Sequence, residues 1–133
     1  MRILGLDLGE KRIGVAISDA LRITAQGLDT IDRDDRPLLA KIIKDNDVSE
    51  IVVGLPLNMN GTKGEKAEDA ALFADMIKRE FSMPVELWDE RLSSVSAEKE
   101  MIRGDLSRKK RKRLSDKIAA QLILQNYLDS RVK

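Results

Sequence analysis

Three carboxylates and one run of cations carry most of the chemistry this sequence can offer. Asp7 stands inside the apolar stretch Ile3-Leu4-Gly5-Leu6-Asp7-Leu8-Gly9. Strands disfavour aspartate, and burying a carboxylate is costly unless a metal or a hydrogen-bonded partner compensates it. Metal binding is the leading reading of Asp7, and a strand-end hydrogen-bonding role is the alternative. Glu90 follows the apolar segment that ends at Asp89, so either acid could face a site, and Glu90 could equally pair with Arg91. Asp116 reads as a first-turn carboxylate of the last helix, a position the helix dipole favours. It lies three and four residues before Ala119 and Ala120, whose small side chains let that helix approach a sheet closely. Carboxylates converging from these three places could hold one or two divalent ions and hydrolyse a phosphodiester.

Composition removes the competing mechanisms. The 133 residues include no histidine and no cysteine, which excludes thiol nucleophiles, zinc-thiolate sites, Ser-His-Asp triads and a histidine general base. Carboxylates without histidine suit hard, oxygen-loving cations such as Mg²⁺ or Mn²⁺. With 24 basic and 23 acidic residues the net charge is +1, so a polyanion site must come from local clustering. Arg108, Lys109, Lys110, Arg111, Lys112 and Arg113 form such a cluster, read here as a basic loop that contacts nucleic-acid phosphates. Lys11 and Arg12 could grip a phosphate too, or be charged merely because a hairpin turn is exposed. Phe73, Phe81, Trp88 and Tyr127 are the whole aromatic complement, so recognition should go through backbone and shape rather than base stacking.

The elements that must position these groups are legible from punctuation and period. Arg2 to Leu8, Ile13 to Ser18 and a stretch around Gln26 to Ile31 read as an antiparallel three-strand meander. Gly5, Gly9 and Gly14 suggest close backbone approach around Asp7. Asp32, Asp34 or Asp35 caps a helix that carries Pro37 and ends near Asn46. Ile51-Val52-Val53 marks a strand within Glu50 to Leu57 that is buried on both faces. The loop Asn58 to Gly64 precedes a helix running to Phe81; it lacks the order of a P-loop, which disfavours a nucleotide cradle and leaves a nucleic-acid backbone contact open. Val85 to Asp89 is a fifth strand, Ser93 or Ser94 caps a helix closing near Gly104, and the final helix runs from Leu114 onward. Right-handed crossovers place the fourth and fifth strands parallel to the first. The result is an α/β mixed five-stranded sheet flanked by helices, with reactive groups at the carboxyl ends of its strands. A single domain over residues 1–133, cytoplasmic and without a membrane span, is expected.

The blocks Gly5-Leu6-Asp7-Leu8-Gly9 with Lys11-Arg12-Ile13-Gly14-Val15-Ala16, Val53-Gly54-Leu55-Pro56-Leu57 with Asn60-Gly61, Asp89-Glu90-Arg91-Leu92-Ser93, and Asp116-Lys117-Ile118-Ala119-Ala120 with Ile123-Leu124-Gln125 together resemble the YqgF family, also called RuvX. The resemblance spans essentially the whole chain. It implies a ribonuclease H-like fold and a nuclease that processes the 5′ end of pre-16S rRNA in ribosome biogenesis, in contact with the ribosome or its precursor. It also implies kinship with Holliday-junction resolvases that act on branched DNA. Asp7, Glu90 and Asp116 become the implied catalytic metal ligands, and Lys11, Asn60 and Arg91 implied substrate contacts. Related resolvases carry an acid at the end of the fourth strand, where this chain has Gly54-Leu55-Pro56. The last helix offers one acid near its start, and monomer or homodimer both stay open. A non-catalytic RNA-binding assembly or transcription factor is the alternative from a different class. Asp7-Leu8-Gly9 before a hairpin is also similar to the phosphate-binding start of actin-like kinases, which close a second domain over nucleotide.

Overall fold

Five strands alternate with helices in the order the punctuation suggests, and the computed structural model describes them over residues 1–58, 60–92 and 108–131. Side chains of residue 92 and residues 108–115 lie outside that description, as does the helix expected from Ser93 or Ser94 to Gly104. The strands are β1 (Arg2–Leu8), β2 (Arg12–Ser18), β3 (Ala25–Asp32), β4 (Val48–Leu55) and β5 (Val85–Asp89). Their spatial order is β3-β2-β1-β4-β5. Pairing is antiparallel among β1, β2 and β3 and parallel from β1 through β4 to β5. The meander and the parallel pair therefore stand as expected.

Side-chain alternation divides the core between the two faces of the sheet. Leu4, Leu6, Val15, Ile17, Ile51 and Val53 meet two helices, α1 (Arg36–Asp45) and α2 (Glu65–Phe81), through Leu39, Ile43, Phe73 and Ile77. The opposite face, with Ile3, Ala16, Ala25 and Val52, meets α3 (Arg108–Arg131) through Ala119, Ala120, Ile123, Leu124 and Leu128. Helix α1 starts where Asp35 accepts a hydrogen bond from Leu38 N (3.1 Å), with Pro37 in its first turn. Helix α2 ends at Ser82, whose φ of 51° is left-handed, and Pro84 prevents resumption.

One expectation is corrected. The run Arg108 to Arg113 is not a loop; it forms the first turns of α3, so Asp116 sits in the third turn and not the first. Arginine and lysine are good helix formers, and no glycine or proline interrupts the segment from Arg108 to Arg131. The helix anchored by the packed stretch 116–128 therefore propagates back through the cations, although cations at a helix start oppose the dipole.

Near the far end of α3, Tyr127 donates a hydrogen bond to Glu50 Oε2, and its ring meets Trp88 edge-on at 6.0 Å. Arg131 holds the same carboxylate at 3.0 and 3.1 Å. Burial and the adjacent Glu50 carboxylate push the Tyr127 phenol up to about 12. A folded pKa above the unfolded value of about 10 contributes stability that is complete below pH about 10 and is lost as pH rises toward the folded value. Tyr127 is the single tyrosine, so an ultraviolet phenolate titration reads it alone. The expected midpoint is about 12 in the native protein, lowered in Glu50→Gln; a midpoint near 10 would contradict the contact.

Candidate active site

Among the described residues only three acids are buried, and they are the three singled out by sequence: Asp7 is 5% exposed, Glu90 5% and Asp116 7%. Ser18 is the other buried polar residue, and it is engaged structurally, accepting from Ile3 N at 2.8 Å and donating to Asp19 O at 3.0 Å. Burying three carboxylates in one small domain is expensive. Such a cost points to chemistry rather than to stability.

Glycines make the gathering possible. Asp7 is paired across the ladder with Gly14 of β2. On the other side the register Leu6↔Val53 makes Gly54 of β4 the next flanking position. A methyl group at Gly14 would overlap the Asp116 carbonyl, so α3 sits directly on the β2 backbone there. A methyl at Gly54 would stand 3.0 Å from Glu90 Oε2, so the Glu90 carboxylate lies over the β4 backbone. Strand alternation puts Asp7 on the same α3-facing side. The backbones thus bring all three acids to the carboxyl-end edge of the parallel strands. No group of three or more acidic side chains is already arranged to hold an ion among the described residues. The donor set nevertheless fits a hard divalent cation: oxygens only, buried, and seated in space that glycines leave clear.

The alternative between Asp89 and Glu90 has a geometric answer. Asp89 accepts from Arg91 N at 2.9 Å and from Arg91 Nε and Nη2 at 3.1 and 2.8 Å. That hydrogen bonding holds its carboxyl below the usual carboxylate range. Glu90, in the single 3-10 turn Glu90–Leu92 that follows β5, points inward. The Arg91 guanidinium reaches the loop before α2, where Nη1 lies 3.3 Å from the Cβ position of Gly61, a residue with φ of +86°. In that loop Asn60 Oδ1 accepts from Thr62 N and Oγ1 at 3.1 and 2.6 Å. Asn60 is therefore exposed but tied down, and Arg91 bridges β5 and its loop.

Lys11 is exposed at the β1–β2 turn and Arg12 is half-buried at the start of β2. The turn is closed by Gly9 N donating to Arg12 O at 2.8 Å. It is strapped to α2 by Arg33, which donates to Gly9 O at 3.1 Å and to Asp69 at 2.8 and 2.6 Å. Both cations thus sit on a fixed turn that directly follows the strand carrying Asp7. The side chains of Arg108, Lys109, Lys110 and Arg111 lie outside the described residues, but their backbone leads into the turn that carries Asp116. Sequence reasoning missed Gly54 as a seat for Glu90 and Arg33 as the strap. A glycine inside an otherwise apolar buried strand was the available signal for the first; none existed for the second.

The profile of the RuvX family, described as Holliday junction resolvase, matches residues 1–130. The chain belongs to the RuvX family. RuvX relatives from Geobacillus sp. (strain WCH70) and Desulforamulus reducens are 54% and 53% identical, covering 98% and 100% of this chain and 99% and 100% of their own lengths. Both bear the name "Putative pre-16S rRNA nuclease". Among solved structures, RuvC of T. thermophilus in complex with Holliday junction substrate superposes with a TM-score of 0.58 at 19% identity, over 98% of this chain and 95% of that one. The Fowlpox virus resolvase with its Holliday junction DNA gives 0.55 at 18% identity, over the full length of both. At such identities the likeness establishes the fold, which is ribonuclease H-like, as the RuvX blocks implied. No helix among the described residues is long and apolar enough to cross a membrane.

Proposed function

We propose that residues 1–133 act as one nuclease domain: a divalent-metal-dependent endonuclease that hydrolyses phosphodiester bonds in structured nucleic acid, with the 5′ end of pre-16S rRNA as substrate. The observation that carries this reading is the burial of Asp7, Glu90 and Asp116 on one edge of the sheet. These residues would hold Mg²⁺ or Mn²⁺, which when bound activates a water and neutralises charge at the leaving oxygen. The protein's own groups do the rest. Lys11 and Arg12 meet phosphates from the β1–β2 turn, Arg91 approaches from the turn after β5 with its guanidinium against the Gly61 loop, and the cations at the start of α3 hold the flanking backbone. Few aromatic residues are available, so shape and phosphate spacing select the substrate. A cytoplasmic enzyme acting on a ribosome precursor, as monomer or homodimer, completes this reading. The names of the relatives support RNA; the description of the family profile favours branched DNA as the second substrate.

The test is direct. Purified protein is incubated with a precursor 16S transcript and, separately, with a four-way DNA junction, each with Mg²⁺, with Mn²⁺ or with chelator. Metal-dependent cleavage of the transcript supports the reading, preferential cleavage of the junction transfers it to DNA, and no cleavage of either overturns it. Replacing all six residues from Arg108 to Arg113 with glutamine should weaken RNA binding and flatten its dependence on log salt by about 4 to 5. An unchanged slope would remove the start of α3 from the interface.

A further inference from the structure

The end of the sheet opposite the acids carries a surface that nuclease chemistry does not use. The β2–β3 connection, Asp19 to Thr24, is tied down at several points. Asp19 Oδ1 accepts from Ile23 N at 2.7 Å and Thr24 N at 3.0 Å, and Arg22 N donates to Asp19 O at 3.0 Å. From α3, Gln125 donates to Ile23 O at 2.9 Å and accepts from Ala25 N at 2.9 Å. Arg22 itself is held at a φ of 60°, a conformation that non-glycine residues adopt infrequently. A segment fixed this firmly presents its apolar side chains outward: Leu21 is 78% exposed and Ile23 55%, with Met1 66% exposed beside them.

Next to these side chains is a cleft of about 200 Å³ lined by Ile3, Leu21, Arg22, Leu128 and Arg131. Leu21 gives it an exposed aliphatic side, backed by the buried Ile3 and Leu128, and Arg22 and Arg131 give it a guanidinium side. Arg131 is neutralised by Glu50. Arg22 Nε donates to Met1 O at 3.4 Å, and among the described residues the terminal nitrogens of its guanidinium have no hydrogen bond or ion pair. An arginine fork with both ends available beside an apolar cleft matches a carboxylate adjoining an aliphatic side chain. The cleft is one side chain in size, too small for a folded ligand. It lies about 13 Å along β1 from Asp7, so occupation leaves the acidic edge open.

We propose that this cleft, between the Asp19–Thr24 loop and the last turn of α3, is a docking site for an acidic, aliphatic peptide segment of a partner protein. Rigid presentation lowers the ordering cost of binding, and Arg22, the rim guanidinium that Glu50 does not neutralise, selects the sign of the partner's charge. Docking there would hold the nuclease edge toward whatever the partner delivers.

The experiment uses the full chain labelled with ¹⁵N and three synthetic peptides: one alternating glutamate with leucine, one with lysine replacing glutamate, and one with serine replacing leucine. The glutamate–leucine peptide should shift the amide resonances of Leu21, Arg22, Ile23 and Leu128 saturably, while the other two peptides do not. Arg22→Glu and Leu21→Glu, both on the surface, should each weaken that response at least tenfold while leaving nucleic-acid cleavage unchanged. The proposal is overturned by the absence of a saturable shift or by an equal response to the lysine peptide. It is equally overturned if an RNA oligonucleotide shifts these resonances, or if sedimentation shows a dimer that Leu21→Glu dissociates, which would make a second copy the occupant.

Discussion

Asp7→Asn should abolish metal-dependent cleavage, lowering the rate at least about a thousandfold, which corresponds to roughly 4 kcal/mol of lost transition-state stabilisation. Asparagine has nearly the shape of aspartate, and it fills the same place between Gly14 and Gly54. What it lacks is the charge that makes a strong ligand for a hard cation. Added Mn²⁺ should stabilise the parent more than the variant, because a ligand stabilises only the state it binds. Binding of RNA should survive. Retained cleavage in Asp7→Asn would defeat the metal mechanism, and full binding without cleavage by the parent would favour the non-catalytic RNA-binding reading.

Gly14→Ala should be among the most damaging single-methyl changes the chain can suffer. The added Cβ would overlap the Asp116 carbonyl, a backbone atom within α3 that cannot rotate away. Either α3 lifts from the sheet or β2 bends, at a cost of about 2–3 kcal/mol or more. Asp116 moves with its helix, so cleavage should fall together with stability. Gly54→Ala provides the contrast. Its Cβ would press on the ends of flexible side chains, Glu90 Oε2 and Ile123 Cδ1, which can yield. Its stability cost should stay below about 1.5 kcal/mol, while displacement of Glu90 still reduces cleavage strongly. Chemical denaturation and cleavage rates measured on the two variants separate these outcomes. Parent-like stability in Gly14→Ala would mean that α3 does not seat on β2 in the way described.

Where glycine, proline and period mark the ends of elements, the sequence is a sufficient guide. Leu8-Gly9 and Met83-Pro84 bracket strands whose observed limits agree with the reading. The relation of Asp7 to Glu90 was legible too, because parallel crossovers oblige the ends of β1 and β5 to share an edge. Charge was the poorer guide. Six consecutive cations suggest a solvated loop, yet their backbone is helical, since intrinsic propensity and the packed turns beyond Asp116 outweigh repulsion along the helix. Whether Asp89 or Glu90 turns inward depended on a two-residue hydrogen bond to Arg91, which no periodicity encodes. Long-range contacts were equally hidden: Arg33 strapping Gly9 to Asp69, and Gln125 clamping the Asp19–Thr24 loop across about 100 residues of chain, leave no local signature.

The proposed metal mechanism requires that Asp7, Glu90 and Asp116 share a divalent ion. Crystals of the full chain soaked in Mn²⁺ and measured at the manganese absorption edge test it most directly. An anomalous peak is expected within ligand distance of all three carboxylates, absent from Asp7→Asn crystals treated identically. A peak on Asp89 in place of Glu90, or no peak at this edge of the sheet under saturating Mn²⁺, would contradict it.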